Sequence, residues 1–205
     1  MPKSAVLDAK GALPTSLKRF LVILLLFSIG NSSDAFLLLR ARSMGVSLAA
    51  IPILWAVLSI SKLVWSYAGG VLSDRFPRAR LIVIAWLVYA ATYLALGWAD
   101  RGWQAWLLFV IYGAFHGLSE PAEKALVKDL APPQSRGTAF GSYNFIIGVA
   151  SVPAGILTGW IWSAYSPRSA LIVGASIALL AAMLLATWMR TSGREEAESI
   201  DSIAS

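Results

Sequence analysis

Gly69-Gly70-Val71-Leu72-Ser73-Asp74-Arg75-Phe76-Pro77-Arg78-Ala79-Arg80 is a dense group of charged and helix-breaking residues set between two long apolar runs. Asp74 and the three arginines cannot enter hydrocarbon cheaply, so they mark a tight loop at a membrane face. Pro77 suits the first turn of a following helix, and the paired glycines allow close approach of another backbone. On either side the chain stays apolar. Of its 205 residues, 58% are apolar and 14% charged, and the mean hydropathy is +0.68, which excludes an ordinary soluble domain. The chain reads as an all-α integral membrane protein.

Working outward from the loop, six apolar stretches approach the ~20 residues that a membrane-crossing helix needs. They are placed at Phe20 to Leu39, Val46 to Ser73, Leu81 to Ala99, Trp103 to Val127, Thr138 to Trp162 and Ser169 to Met189. Residues 1–19 are polar and basic and read as a cytoplasmic tail or linker, 20–189 as the transmembrane domain, and the Ser- and Glu-rich 190–205 as a disordered cytoplasmic tail. Lys3, Lys10, Lys18, Arg19, Arg75, Arg78, Arg80, Lys128, Arg136, Arg190 and Arg194 fall on one side of this layout; Arg40, Arg42, Arg101 and Arg168 fall on the other. The excess predicts that both termini and the Gly70 to Arg80 loop are cytoplasmic, in a multi-pass protein of the cell membrane. Trp98, Trp103, Trp106, Trp160 and Trp162 gather at the opposite ends, at the level of the lipid headgroups.

The net charge of +6 is accounted for by this topology, so no nucleic-acid partner is expected. There is no cysteine and one histidine, which excludes thiolate chemistry and leaves no metal cluster or cofactor to expect. Zinc-protease, nucleophile-elbow and phosphate-loop motifs are absent, and the chain is not read as an enzyme.

Polar residues divide the spans. Stretches three and six carry no ionisable side chain other than Tyr89 and Tyr93 in stretch three, and both stretches are expected to face lipid. Stretches one, two and four carry Asn31, Ser33 and Asp34; Lys62; and His116 with Glu120, groups that must be paired or hydrated inside a bundle. At about 1.5 Å per residue, Lys62 and His116 lie about 18 Å deep and Asp34 about 22 Å deep, so Asp34 and Lys62 are predicted to offset one another. His116 and Glu120, one helical turn apart, are a candidate proton relay or an ordinary interhelical contact. Glu123 and Lys124 read as snorkelling residues near the cytoplasmic end. Gly148, Pro153 and Gly155 in stretch five predict a kink with close helix packing, or a hinge.

The loop resembles the signature of the major facilitator superfamily. Gly70, Leu72, Asp74, Arg75 and Arg78 match; Pro77 stands where the family usually has glycine, and Ala79 where it often has a basic residue. Gly148, Pro153, Gly155 and Gly159 in stretch five are similar to the glycine-proline helix of many members, and the Asn31-Ser32-Ser33-Asp34 segment resembles the seventh helix of a twelve-helix transporter. The resemblance implies one six-helix half, the C-terminal one, built as two inverted three-helix repeats whose first and fourth helices line a cavity. It also implies secondary transport of a small solute by alternating access, with possible proton coupling. Gly70, Asp74, Arg75 and Arg78 would form a conformational latch, with Asp74 meeting Arg75, Arg78 or a neighbouring helix end. The working unit would be a homodimer or a pairing with a separate N-terminal half. A non-transporting assembly subunit derived from such a half is the alternative.

Overall fold

In lipid the backbone must satisfy its own hydrogen bonds, and the chain does so entirely with helices among the described residues. The computed structural model describes residues 13–204, with side chains described to Thr191. The helices are α1 (Thr15–Gly30), α2 (Asp34–Ser43), α3 (Ile51–Arg75), α4 (Arg78–Trp98), α5 (Gly102–Leu130), α6 (Arg136–Ala164) and α7 (Pro167–Ala204). Asp74 and Arg75 close α3, Pro77 precedes α4, and the two helices turn back on each other over Phe76 and Pro77.

Three expectations about boundaries are corrected. The first stretch is not one continuous helix: α1 stops at Gly30, where the Asn31 N–H bonds back to the Phe27 and Ser28 carbonyls, and α2 starts afresh with Ser33 as its cap. The first helix also starts at Thr15, inside the expected tail, because Pro14 suits a helix start and Leu17 and Phe20 are buried. Residues 1–12 of that tail lie outside the described residues. At the other end α7 runs to Ala204 where a disordered tail was expected; Arg194, Glu195, Glu196, Ala197 and Glu198 are strong helix formers.

Among the described residues, five stretches are long and apolar enough to cross a membrane: Thr15–Ser43, Leu48–Arg75, Arg78–Trp98, Pro133–Ala164 and Pro167–Thr191. The sequence reading counted six. α5, at 29 residues, is long enough but too polar, since Gln104, His116, Glu120, Glu123 and Lys124 dilute its apolar residues.

α5 packs along α3 and α4, α4 continues onto α7, and α1 lies against α6 and α7. The expectation that the third stretch faces lipid is wrong. α4 is the most buried span, with Trp86, Tyr89 and Tyr93 closed off in the bundle, whereas α3 and α6 are the most open. A search for charged residues overlooks tyrosine and tryptophan, whose hydroxyl and indole N–H groups also need partners away from water. α7 presents Ala175, Ala178, Ala181 and Ala182 to the interior and exposes Met183 and Leu184.

The close-packed glycines lie elsewhere than predicted. A side chain at Gly69 would strike the Gly117 carbonyl, and one at Gly117 would come within 2.6 Å of the Ser66 nitrogen, so α3 and α5 touch backbone to backbone. Ser61 locks the same seam by donating to the Val110 carbonyl at 2.7 Å. A Cβ added at Gly70, Gly148 or Gly155 would meet no atom within 4 Å beyond its own turn of helix, and α6 runs unbroken through Pro153.

Candidate functional site

The break between α1 and α2 puts a carboxylate at a helix N-terminus deep in the bundle. Asp34 is the first residue of α2, and Ser33 before it is exposed and accepts from the Ala35 N–H at 3.3 Å. The partial positive charge of that helix end favours the carboxylate. Lys62, midway along α3, donates to Asp34 Oδ2 at 2.8 Å, and the Tyr112 hydroxyl of α5 donates to Oδ1 at 2.9 Å. His116, one turn further along α5, brings Nε2 to 3.7 Å from Oδ1. That distance permits electrostatic attraction but not a hydrogen bond, and this buried Nε2 has no hydrogen-bond partner among the described residues. One carboxylate thus gathers a cation, a phenol and an imidazole from two further helices.

The backbone groups freed by the break are satisfied from α4. Tyr89 donates to the Gly30 carbonyl at 2.8 Å, and the Tyr93 hydroxyl lies 2.9 Å from Ser32 Oγ. The two rings stack with centroids 4.0 Å apart. Sequence reasoning missed these tyrosines and Tyr112. The available signal was Tyr89 and Tyr93 four residues apart on a span adjacent to a polar interruption, a spacing that places both on one face. The far end of α2 is fixed as well, because Arg40 donates to the Leu96 carbonyl at 2.9 Å and the Ala99 carbonyl at 2.8 Å at the C-terminus of α4.

Glu120 does not join His116 in a relay. It is exposed and paired with Lys124 at 2.6 Å along the same helix. It does share a cavity with His116, a space of about 270 Å³ between α1, α5 and α6 whose wall also includes Asn31, Glu123, Tyr143 and Phe27.

Glu123 is the second residue that the sequence reading placed wrongly. It does not snorkel: its side chain is buried, with Oε1 accepting from Trp86 Nε1 at 3.1 Å and from the Ser119 hydroxyl, and Oε2 accepting from the Tyr143 hydroxyl at 2.9 Å. Ser119 four residues earlier was the local clue; Trp86 and Tyr143 come from other helices and could not be matched to it from spacing.

At the loop, Arg78 donates to the Ala125 carbonyl at 2.7 Å and pairs with Asp129, placing a cation at the C-terminal end of α5 where the helix dipole favours it. Asp74 therefore does not have Arg78. It is exposed, as is Arg75, and neither forms an ion pair among the described residues.

Comparison with known proteins adds to this geometry. Residues 20–204 match the family model described as Major Facilitator Superfamily. An uncharacterized MFS-type transporter, MJ1317, of Methanocaldococcus jannaschii is 31% identical over 179 residues, covering 84% of this chain and 45% of that protein. The multidrug resistance protein MdtH of Shigella flexneri is 31% identical over 135 residues, 62% of this chain and 33% of its own length. That of Salmonella typhi is 29% identical over 130 residues, 62% of this chain and 32% of its own. The matches thus span less than half the length of these relatives.

Proposed function

The chain belongs to the Major Facilitator Superfamily, and from that premise we propose that it moves a small solute across the cell membrane by alternating access, as one six-helix half of a secondary transporter. In this reading α1 with α2 forms one broken span, α5 is the fourth of six spans, and the two groups of three spans are inverted repeats. Both termini and the Gly70 to Arg80 loop are cytoplasmic. The single observation that carries the proposal is the 2.8 Å pair of Lys62 and Asp34, set by a helix break among apolar spans. Ionisable groups at such depth, on interrupted helices at the centre of a repeat structure, mark solute and ion pathways.

Asp34 and Lys62 release and re-form their pair as solute passes, and His116 beside them offers a titratable group through which a proton gradient drives transport. The relatives named multidrug resistance proteins make drug-like solutes the first to test. The open faces of α3 and α6 are where a second six-helix unit docks, either another copy of this chain or a separate N-terminal half. Asp74 and Arg75 are the latch residues that meet that partner.

Solute flux into proteoliposomes, with and without a pH gradient, tests the reading. Flux above that of empty liposomes is expected, and Asp34→Asn should abolish it while leaving the protein inserted. Wild-type protein, alone or with a partner half, that carries no solute under either condition would refute the proposal.

A further inference from the structure

The cavity between α1, α5 and α6 has on its wall a buried carboxyl group, Glu123, that no cation among the described residues pairs with. Lys124, on the wall of the cavity, is already paired with Glu120 at 2.6 Å. Glu123 is left with neutral donors alone, the Trp86 indole, the Ser119 hydroxyl and the Tyr143 hydroxyl. A buried carboxylate without a cation is unfavourable by several kcal/mol, so the site has an electrostatic demand that the described residues do not meet. Tyr143 to Glu123 is also the one side-chain hydrogen bond that joins α6 to another helix among the described residues. The other side-chain bonds of α6, from Asn144, Ser151 and Ser163, return to its own carbonyls.

We propose that this cavity binds a small monocation, an ammonium on a compact apolar body, with Glu123 as its counter-ion, and that the ligand displaces the Tyr143 hydroxyl and so frees α6. The proposal names a solute class for the transport reading above and rests on it for its purpose. An ammonium brings a full positive charge to Oε2, which the phenol does not, so its N–H replaces the phenol there with an ion pair. Phe27, Phe115 and Ile147 on the cavity wall receive the apolar part. The volume of about 270 Å³ lies just below the range of about 300–1,000 Å³ usual for drug-sized ligands, which sets the size class. Occupancy and release of α6 then become one event, because both use the same carboxylate oxygen.

The test uses the full chain in lipid nanodiscs with benzylamine as probe and benzyl alcohol as its neutral counterpart. Calorimetry measures affinity, and spin labels at Arg80→Cys and Thr138→Cys, both exposed positions in a chain without cysteine, report the distance between α4 and α6. Benzylamine should bind saturably and change the label distance, and benzyl alcohol should bind at least tenfold more weakly. Glu123→Gln should lower benzylamine affinity at least tenfold. Tyr143→Phe, which removes the competing hydroxyl, should raise it severalfold and shift the unliganded distance toward the liganded value. Equal binding of amine and alcohol, or an unchanged affinity in either variant, overturns the proposal; should Glu123→Gln fail to insert, Tyr143→Phe decides alone. Benzylamine binding without solute flux would sink the transport reading and leave this site standing. Flux of other solutes without benzylamine binding would do the reverse.

Discussion

The two sides of α5 differ in what holds them. Toward α3, Gly113 and Gly117 bring the helices into close contact, Ser61 bonds across the seam, and the half-buried charges of Asp34 and Lys62 compensate one another. Toward α6 there is a cavity, a single hydrogen bond from Tyr143, and a carboxylate with no cation. A glycine seam has little room to slide without a clash, whereas one polar bond beside a cavity is exchanged with water or solute at small cost. The α3–α5 seam is thus the more tightly tied of the two, and the α5–α6 seam is where the proposed release of α6 would act.

Breaking the α3 side should have the largest effect. Asp34→Ala leaves Lys62 as an intramembrane charge without its partner and should destabilise the protein by about 3–5 kcal/mol, while Asp34→Ala with Lys62→Ala should recover most of that. Thermal unfolding in detergent reads both, and additive losses would show that the pair is not a unit. Gly117→Leu forces the seam apart and should cost about 1–3 kcal/mol or more, seen as reduced folded yield on size exclusion. The same kind of change on α6 should be harmless: Gly148→Ala, with open space around it, should leave stability unchanged or raise it by about 0.5–1 kcal/mol. A loss there as large as that of Gly117→Leu would erase the contrast. The smallest effect on stability belongs to Asp74→Asn, exposed at the loop, which should leave the unfolding temperature unmoved and lower solute flux. Parallel loss of protein and flux would make the residue structural.

The helical class, the membrane setting and the family were legible in the sequence, because apolar runs of spanning length and the Gly70 to Arg78 loop are local signals. Depth counting also placed Asp34 and Lys62 at similar levels, and they lie 2.8 Å apart. What stayed hidden depends on which faces meet. The break at Asn31 to Ser33 needs Tyr89 and Tyr93 to hold it, and those residues read as lipid-facing until α4 is seen in the middle of the bundle. Glu123 looked like a snorkelling residue because its donors Trp86 and Tyr143 are remote in sequence. The glycines of α6 attract attention beside Pro153, yet close packing falls to Gly69 and Gly117, and only the crossing of α3 and α5 distinguishes them. α5 fell short of the apolarity of a span for a related reason: its polar residues are used inside the bundle.

The most direct measurement of the central claim is solute flux in proteoliposomes by the double variant Asp34→Ala with Lys62→Ala, compared with wild type at equal amounts of folded protein. If the pair lies on the transport path, the double variant is as stable as wild type within about 1 kcal/mol and carries no solute. A stable double variant that transports at the wild-type rate would reduce the pair to a tie between helices and contradict the account.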